Sequence, residues 1–262
     1  MVNFKNILFD KKLTGNGKNL GNLPEWNLKD LYSHTESKEL KQDLTWLKEE
    51  CEIFANDFKG KLVNLSANEF LACVKRKEKI SNVSGRLISF AGLRYYQSTT
   101  DGERTKFLSD IQEKITIYTS SLIFFNLELN KLPTGHLDLL YSQNEELSRY
   151  KPVFDRIRAL QPYQLSDELE KFLHELGIVG DAWEKLFDET ISGLEFSVGD
   201  ELLNLENTLN LLTDHNRSKR EMGANELSRV FSKNIKIFAR IHNTQAKEKE
   251  IIDQWRLSLI HI

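Results

Sequence analysis

The first long segment of the chain places apolar residues at helical intervals. Between residues 40 and 58 the apolar side chains recur at alternating intervals of four and three residues, which puts them on one face of an α-helix. These positions are Leu40, Leu44, Leu47, Cys51, Phe54 and Phe58. The spacing therefore predicts a long amphipathic helix whose apolar face packs into a core.

Two further helices are predicted from their start signals. Ser66 followed by Glu69 matches a capping box, in which the hydroxyl accepts from first-turn amides and the carboxylate reaches back. Thr100 and Glu103 repeat that pattern. From residue 108 to residue 129 apolar positions again alternate at intervals of three and four, which predicts a continuous helical rod of roughly 30 Å at 1.5 Å per residue. This period suits long antiparallel helices that pack at a shallow angle.

Shorter elements are expected after residue 132. Pro133 and Gly135 interrupt the helical pattern, and we expect short helices across residues 136–192. Pro162 and Ser166 mark a break and a restart, with the serine as N-cap.

One segment alternates with the period of a strand. Residues 194–198 and 201–203 flank a Gly199-Asp200 turn, which is the pattern of a β-hairpin. Asn204 and Asp214 are expected to cap the two helices that follow. The predicted fold class is mainly α, with long antiparallel amphipathic helices and one small β-hairpin.

Four segments are predicted along the chain. Residues 1–22 form a flexible leader, since residues 10–22 are polar and rich in Gly and Asn. Residues 23–132 form an N-terminal domain of long helices, and residues 133–256 form a helical region that contains the hairpin. Residues 257–262 form a separate apolar tail.

The amino-acid composition limits which partners and which cellular location are expected for the protein. The chain has 36 basic and 39 acidic residues, for a formal net charge of -3, so the balance favours neither nucleic acid nor an anionic membrane as a partner. No apolar run approaches the ~20 residues that span a bilayer, and the first twelve residues are too charged for a signal peptide. Two cysteines in helical stripes suit buried, reduced thiols. These features predict a cytoplasmic protein.

Motifs of catalysis and metal binding are mostly absent from the sequence. A zinc peptidase helix needs two histidines four residues apart, with a glutamate after the first. His174-Glu175 begins that pattern, but Ile178 stands where the second imidazole is needed, so a surface histidine is favoured. Phosphate-binding loops and nucleophile elbows are lacking as well. The sequence therefore assigns no catalytic, cofactor-binding or metal-ligating residue.

The aromatic pair Tyr95-Tyr96 leaves two interpretations open. Tyrosines can line a peptide-binding channel because they combine apolar area with a hydroxyl. Ordinary packing at a helix end is the favoured alternative, because half of a helix surface faces its neighbours.

Several segments, in their order along the chain, resemble a known family. They are Pro24-Glu25-Trp26-Asn27-Leu28, Arg94-Tyr95-Tyr96, Phe187-Asp188-Glu189-Thr190 and Ala246-Lys247-Glu248-Lys249-Glu250-Ile251. Together they resemble the N-terminal half of the oligoendopeptidase F family, which are zinc metallopeptidases related to thimet oligopeptidase. The resemblance covers residues 23–256, so residues 257–262 are a tail that does not match the family.

The resemblance implies a function for a longer parent protein. Such a parent would hydrolyse short peptides with zinc as its cofactor, in the cytoplasm, and its N-terminal helices would form one wall of an enclosed channel. Residues 133–256 would begin the catalytic-channel half. The zinc-binding motif belongs to the C-terminal catalytic half, so the 262-residue chain is expected to be inactive without that half.

Two expectations concern the end of the chain. Residues 257–262 are expected to be a foreign tail on a truncated gene product. A helix across residues 233–254 is expected to expose apolar side chains that the missing half would cover, namely Ile235, Phe238, Ile241, Ile251 and Trp255. The alternative function is a free-standing, non-enzymatic helical module that binds a protein partner.

Overall fold

The computed structural model describes residues 26–256. The predicted leader (residues 1–22) and tail (residues 257–262) lie outside the described residues. Ten helices and two strands follow one another in the described part. The helices are α1 (Lys38–Phe58), α2 (Ala67–Tyr96), α3 (Gly102–Thr119), α4 (Ile123–Lys131), α5 (Thr134–Gln143), α6 (Glu145–Ser148), α7 (Lys151–Arg158), α8 (Asp167–Ser192), α9 (Leu205–Leu211) and α10 (Arg217–Trp255). The strands are β1 (Phe196–Val198) and β2 (Glu201–Leu203).

Ion pairs fix the antiparallel packing of α1 and α2. Arg76, in the first half of α2, pairs with Glu50 and Asp57 in the second half of α1, and its Nη1 lies 2.6 Å from Asp57 Oδ2. Arg86, further along α2, pairs with Asp43 near the start of α1. The arginine later in α2 thus pairs with an acidic residue earlier in α1. The two helices therefore run antiparallel, as predicted.

The first hydrophobic core lies among α1 to α7. The predicted apolar face of α1 is confirmed, since Leu40, Leu47 and Phe54 are buried. Both cysteines, Cys51 and Cys73, are free and buried as predicted. Burial raises the pKa of each thiol to about 12, so neither is a reactive thiolate at neutral pH.

Two start signals predicted from the sequence have different outcomes. The capping box of Ser66 and Glu69 is confirmed, and the Ser66 backbone N donates to Glu69 Oε2 at 2.9 Å. The prediction that Thr100 caps the next helix is wrong. Asp101 is the N-cap of α3, and its Oδ1 accepts from the backbone N of Glu103 at 2.9 Å. A carboxylate adjacent to the helix start displaces the hydroxyl because it is a good N-cap acceptor that also carries charge.

The predicted rod across residues 108–129 is interrupted. A 3-10 turn at Ser120–Leu122 separates α3 from α4. Three consecutive hydroxyl residues donate to backbone carbonyls of the preceding turn here: Thr119 to Ile115 O, Ser120 to Ile117 O and Ser121 to Tyr118 O. Such bonds compete with the helical ladder and bend it.

The second half contains one long helix that was not expected. The short helices predicted across residues 136–192 are observed as α5, α6 and α7, but α8 continues for 26 residues from Asp167 to Ser192. Ser166 caps it, as predicted. The cap of α10 is Asn216 instead of the predicted Asp214, whose Oδ1 accepts from the Asn216 backbone N at 2.8 Å.

The hairpin is confirmed with its turn. β1 and β2 pair antiparallel, with Phe196 opposite Leu203 and Val198 opposite Glu201. Gly199 has φ +62°, in the left-handed region that glycine adopts without strain. The predicted fold class, mainly α with one small hairpin, is thereby confirmed.

A second core joins the hairpin to α10. Leu194, Phe196, Leu227 and Val230 are buried together. The Glu226 carboxylate of α10 also bonds to the hairpin. It accepts hydrogen bonds from the Ser197 backbone N at 2.7 Å and from the guanidinium of Arg229.

No helix within residues 26–256 combines the length and the apolar character that crossing a bilayer requires. The predicted boundary between the two helical segments, after residue 132, stays a prediction.

Candidate functional site

The two adjacent tyrosines at the end of α2 take opposite roles. Tyr95 is only 1% exposed and packs in the first core, whereas Tyr96 is 62% exposed. Their rings meet edge to face, with centroids 5.3 Å apart. The packing interpretation thus holds for Tyr95, and only Tyr96 is available to a ligand.

Tyr96 borders a groove between α2 and α3. The groove has a volume of about 410 Å³. Its lining residues are Ile88, Ser89, Gly92, Leu93, Tyr96, Leu108 and Gln112. The wall is therefore mostly apolar, and its polar groups are the Ser89 hydroxyl, the Tyr96 phenol and the Gln112 amide.

A lysine from α8 connects this groove to the second half of the chain. Lys185 Nζ donates to Ser109 Oγ at 3.2 Å and to Gln112 Oε1, both on α3. Burial lowers the pKa of Lys185 from its usual value. Because Gln112 also lines the groove, the packing of α8 positions that amide.

The family-like segment of residues 187–190 lies near the same junction. Phe187 packs edge to face on Phe238 of α10, with ring centroids 5.8 Å apart. Asp188 and Glu189 are half-buried. Burial, together with the negative charges of Asp188 and Glu189, raises the pKa of the Tyr95 phenol to about 12. The phenol therefore stays protonated at physiological pH.

His174 does not take part in a metal site. Its Nε2 lies 3.4 Å from Thr119 Oγ1, and Ile178 occupies the next turn of α8. Across the described stretch, residues 26 to 256, no three His, Cys, Asp or Glu side chains are grouped so that they could hold a metal ion. The residues present therefore do not fit a catalytic zinc ion.

A second groove, which we call the α8/α10 groove, runs between the first half of α8 and the end of α10. It has a volume of about 470 Å³. Its lining residues are Leu165, Leu169, Phe172, Leu173, Leu176, Thr244, Lys247, Glu248, Ile251, Ile252 and Trp255. Eight of these eleven side chains are apolar, so the groove is suited to an apolar partner.

An ion pair ties α8 to α10 at one end of the α8/α10 groove. Here Arg256 forms a bidentate ion pair with Glu170, at 2.7 and 2.9 Å, and also donates to Tyr163 O. Burial would raise the pKa of Glu170, but hydrogen bonds from Arg256 and from the Leu165 backbone hold it below its usual range. Further along α8, the Glu248 side chain reaches over Gly180, where an added Cβ would lie 3.0 Å from Glu248 Oε1.

The exposure expected on α10 is partly observed. Ile235, Ile251 and Trp255 are exposed as predicted. Ile241 is buried, contrary to the prediction, and Phe238 packs against the second core. Sequence reasoning missed the matching stripe on α8, although Phe172, Leu176 and Val179 follow the helical spacing of four and three residues that could have revealed it.

Comparisons with known proteins agree with the sequence resemblance. A family model described as Oligopeptidase F matches residues 128–196. Oligoendopeptidase F, plasmid, of Lactococcus lactis subsp. cremoris is 22% identical over 248 residues, which cover 88% of this chain and 41% of that protein. The Oligoendopeptidase F homolog of Lactococcus lactis subsp. lactis (strain IL1403) is 21% identical over 237 residues, covering 85% and 39%. The chain thus spans about two fifths of the length of these relatives.

A solved structure shows the same fold. The crystal structure of oligoendopeptidase-F from Enterococcus faecium superimposes with a TM-score of 0.73 at 20% sequence identity, covering 84% of this chain and 44% of that chain. Taken together, the comparisons confirm the predicted resemblance to oligoendopeptidase F.

Proposed function

We propose that this chain is the N-terminal portion of a cytoplasmic zinc metallo-oligopeptidase that hydrolyses short peptides. In this proposal residues 23–132 form a long-helix part and residues 133–256 begin the half that carries the catalytic channel. Zinc and the catalytic groups belong to polypeptide beyond residue 256, and the 262-residue chain is inactive alone.

The similarity over 88% of the chain to an oligoendopeptidase F carries the proposal, because it extends far beyond any single motif. That the chain matches only 41% of the relative supports a catalytic half located elsewhere in a longer protein. No catalytic step is assigned to residues 26–256.

The contribution of this portion would be to position peptide. The groove between α2 and α3, which Tyr96 borders, offers apolar surface. The Tyr96 hydroxyl and the Gln112 amide in it can form hydrogen bonds with an extended peptide backbone. Lys185 holds Gln112 in place from α8. A channel wall of this kind binds and orients a peptide without contacting the metal.

The coding sequence at the source locus tests the proposal. Read in frame past codon 256, it is expected to encode a His-Glu-x-x-His helix, since paired imidazoles one turn apart and a glutamate base are what zinc-assisted hydrolysis needs. A native stop codon directly after codon 262, with no such motif in frame, would refute the assignment to a peptidase portion.

A second candidate function is a free-standing helical module that binds a protein. The exposed apolar α8/α10 groove favours it, because a surface of this kind marks an interaction site. The same locus sequence separates the two candidates, since the module requires no downstream zinc motif.

A further inference from the structure

One edge of α10 carries positive charges with no acidic residue among them. Between residues 227 and 247 the helix has five Lys or Arg residues and no Asp or Glu. All five are exposed, and their intervals of four, three, four and seven residues place them on one face: Arg229, Lys233, Lys236, Arg240 and Lys247. We propose that this edge, the α10 basic stripe, binds short acidic peptides. The choice of a peptide rests on the proposed function, whereas the anionic character of the ligand follows from α10 alone.

The middle of the α10 basic stripe is not neutralised. The two end cations pair with acidic residues of the same helix, Arg229 with Glu226 at 2.7 Å and Lys247 with Glu250 at 2.9 Å. The three cations between them form no ion pair with any other residue in the described stretch 26–256. Like charges three or four residues apart on a helix repel each other, so an anionic ligand that contacts several of them removes that repulsion.

The length of this unpaired part decides which anionic ligand it suits. From Lys233 to Arg240 the helix rises about 10 Å, and cations four residues apart are separated by about 6 Å along its axis. An extended peptide places every second side chain on the same side, about 6.5 Å apart. Two or three carboxylates at alternate positions therefore match the three cations. A nucleic acid interface uses roughly six to ten phosphate contacts, and the formal net charge of -3 opposes it further.

The same edge offers a polar group for the peptide backbone. Two of the unpaired cations border a shallow groove of about 650 Å³. Its lining residues are Lys236, Ala239, Arg240, Asn243, Thr244 and Lys247. Asn243 is exposed one turn beyond Arg240, and its amide can both donate to and accept from a peptide backbone group. The surface thus combines recognition of carboxylates with a contact to the main chain.

Fluorescence anisotropy with the 262-residue chain tests the proposal. The probe is a labelled eight-residue peptide with glutamate at three alternate positions, and the comparison peptide has glutamine at those positions. The acidic peptide should bind at least about tenfold more tightly, because only its carboxylates pair with the cations. Its affinity should fall as salt is added, since salt screens exposed charges beyond a Debye length of about 10 Å at 0.1 M.

A double variant locates the binding to the stripe. Lys236→Gln combined with Arg240→Gln removes two of the three unpaired cations and should weaken binding of the acidic peptide at least about fivefold. The matched control combines Lys48→Gln on α1 with Lys106→Gln on α3, two exposed lysines outside the stripe. It removes the same total charge and should leave the dissociation constant within about twofold. Circular dichroism shows that both variants keep their fold, as expected for exposed positions.

The proposal is overturned if the acidic peptide does not bind, if the glutamine peptide binds equally well, or if the α10 double variant binds like the native chain. Tighter binding of a ten-nucleotide single-stranded DNA or of inorganic tripolyphosphate would assign the stripe to phosphate ligands and overturn it as well. The assay measures binding without hydrolysis, so its failure leaves the locus test of the proposed function unaffected. Conversely, a locus without the zinc motif would leave a measured affinity for acidic peptides in place.

Discussion

Glu226 is predicted to anchor the hairpin to α10 in a pH-dependent way. Its carboxylate accepts from the Ser197 backbone N at 2.7 Å and from Arg229 Nε and Nη2 at 2.7 Å each, and the residue is buried. Glu226→Ala removes the acceptor and leaves a backbone N–H of β1 without its partner. The expected loss in the free energy of unfolding is about 1.5–3 kcal/mol, the usual contribution of a hydrogen bond to a charged group.

Glu226→Gln should be milder. The amide keeps an oxygen for the Ser197 backbone N and loses only the charge that faces Arg229. Because the Arg229 side chain is mostly exposed, that charge interaction contributes about 0–1 kcal/mol. Glu250→Gln is the matched control on the same helix, since Glu250 pairs with Lys247 on an open surface. Its free energy of unfolding should remain within about 0.5 kcal/mol of that of the native chain.

The effect of Glu226→Ala should depend on pH with a definite sign. Hydrogen bonds from Arg229 lower the pKa of Glu226 from 4.5 to about 2, although burial opposes the shift. A carboxyl whose pKa is lowered on folding stabilises the native state fully above its unfolded pKa, and this contribution is lost as the pH falls through the folded pKa. The difference between the native chain and Glu226→Ala should therefore be constant above pH 4.5 and shrink between pH 4.5 and about 2.

Urea unfolding followed by circular dichroism from pH 2 to pH 7 measures this dependence. A difference between the two proteins that stays the same at every pH, or that is no larger than the effect of Glu250→Gln, would show that the anchor is misidentified.

Four further substitutions test the packing and the turn. Leu47→Ala should lower the free energy of unfolding by about 2–5 kcal/mol, since Leu47 is fully buried in the first core; a loss below 1 kcal/mol in urea titration would contradict that placement. Tyr95→Phe should leave stability within about 1 kcal/mol of the native value or raise it, because the buried hydroxyl has no hydrogen-bond partner; a larger loss by thermal unfolding would reveal one. Gly199→Ala should cost about 1–2 kcal/mol because its φ is +62°, whereas Gly177→Ala inside α8 should be neutral or stabilising; equal effects in calorimetry would refute the turn assignment.

The elements that periodicity could predict are those with a strong local signal. The stripe of α1 and the hairpin around Gly199 each combine a period with a clear boundary, and both appear where predicted. The cap of α3 was misplaced by one residue, from Thr100 to Asp101, because two adjacent side chains can both serve as N-cap. Such a choice depends on which acceptor the folded turn brings to the amides, which spacing alone does not determine.

The length of α8 could not be predicted from local propensity. Gly177 and Gly180 weaken a helix by about 1 kcal/mol each relative to alanine, which favoured shorter helices. Packing of α8 against α3, α4 and α10 compensates, and this packing is visible only in three dimensions.

Only part of the candidate site could be predicted from the sequence. The pair Tyr95-Tyr96 was recognised, but which tyrosine faces solvent depends on how α2 packs on α3. The α8/α10 groove requires two segments some eighty residues apart to lie side by side, so no local pattern could reveal it.

The most direct test of the central claim is peptide hydrolysis by the protein encoded in the complete reading frame. Against quenched fluorescent peptides, that protein is expected to turn over substrate, to lose activity with a zinc chelator and to regain it with added zinc. Its control is the same protein with the glutamate of the His-Glu-x-x-His motif replaced by glutamine, which should be inactive. The purified 262-residue chain should give only background hydrolysis under the same conditions. Chelator-sensitive turnover by the 262-residue chain, or no turnover by the complete protein, would contradict the account.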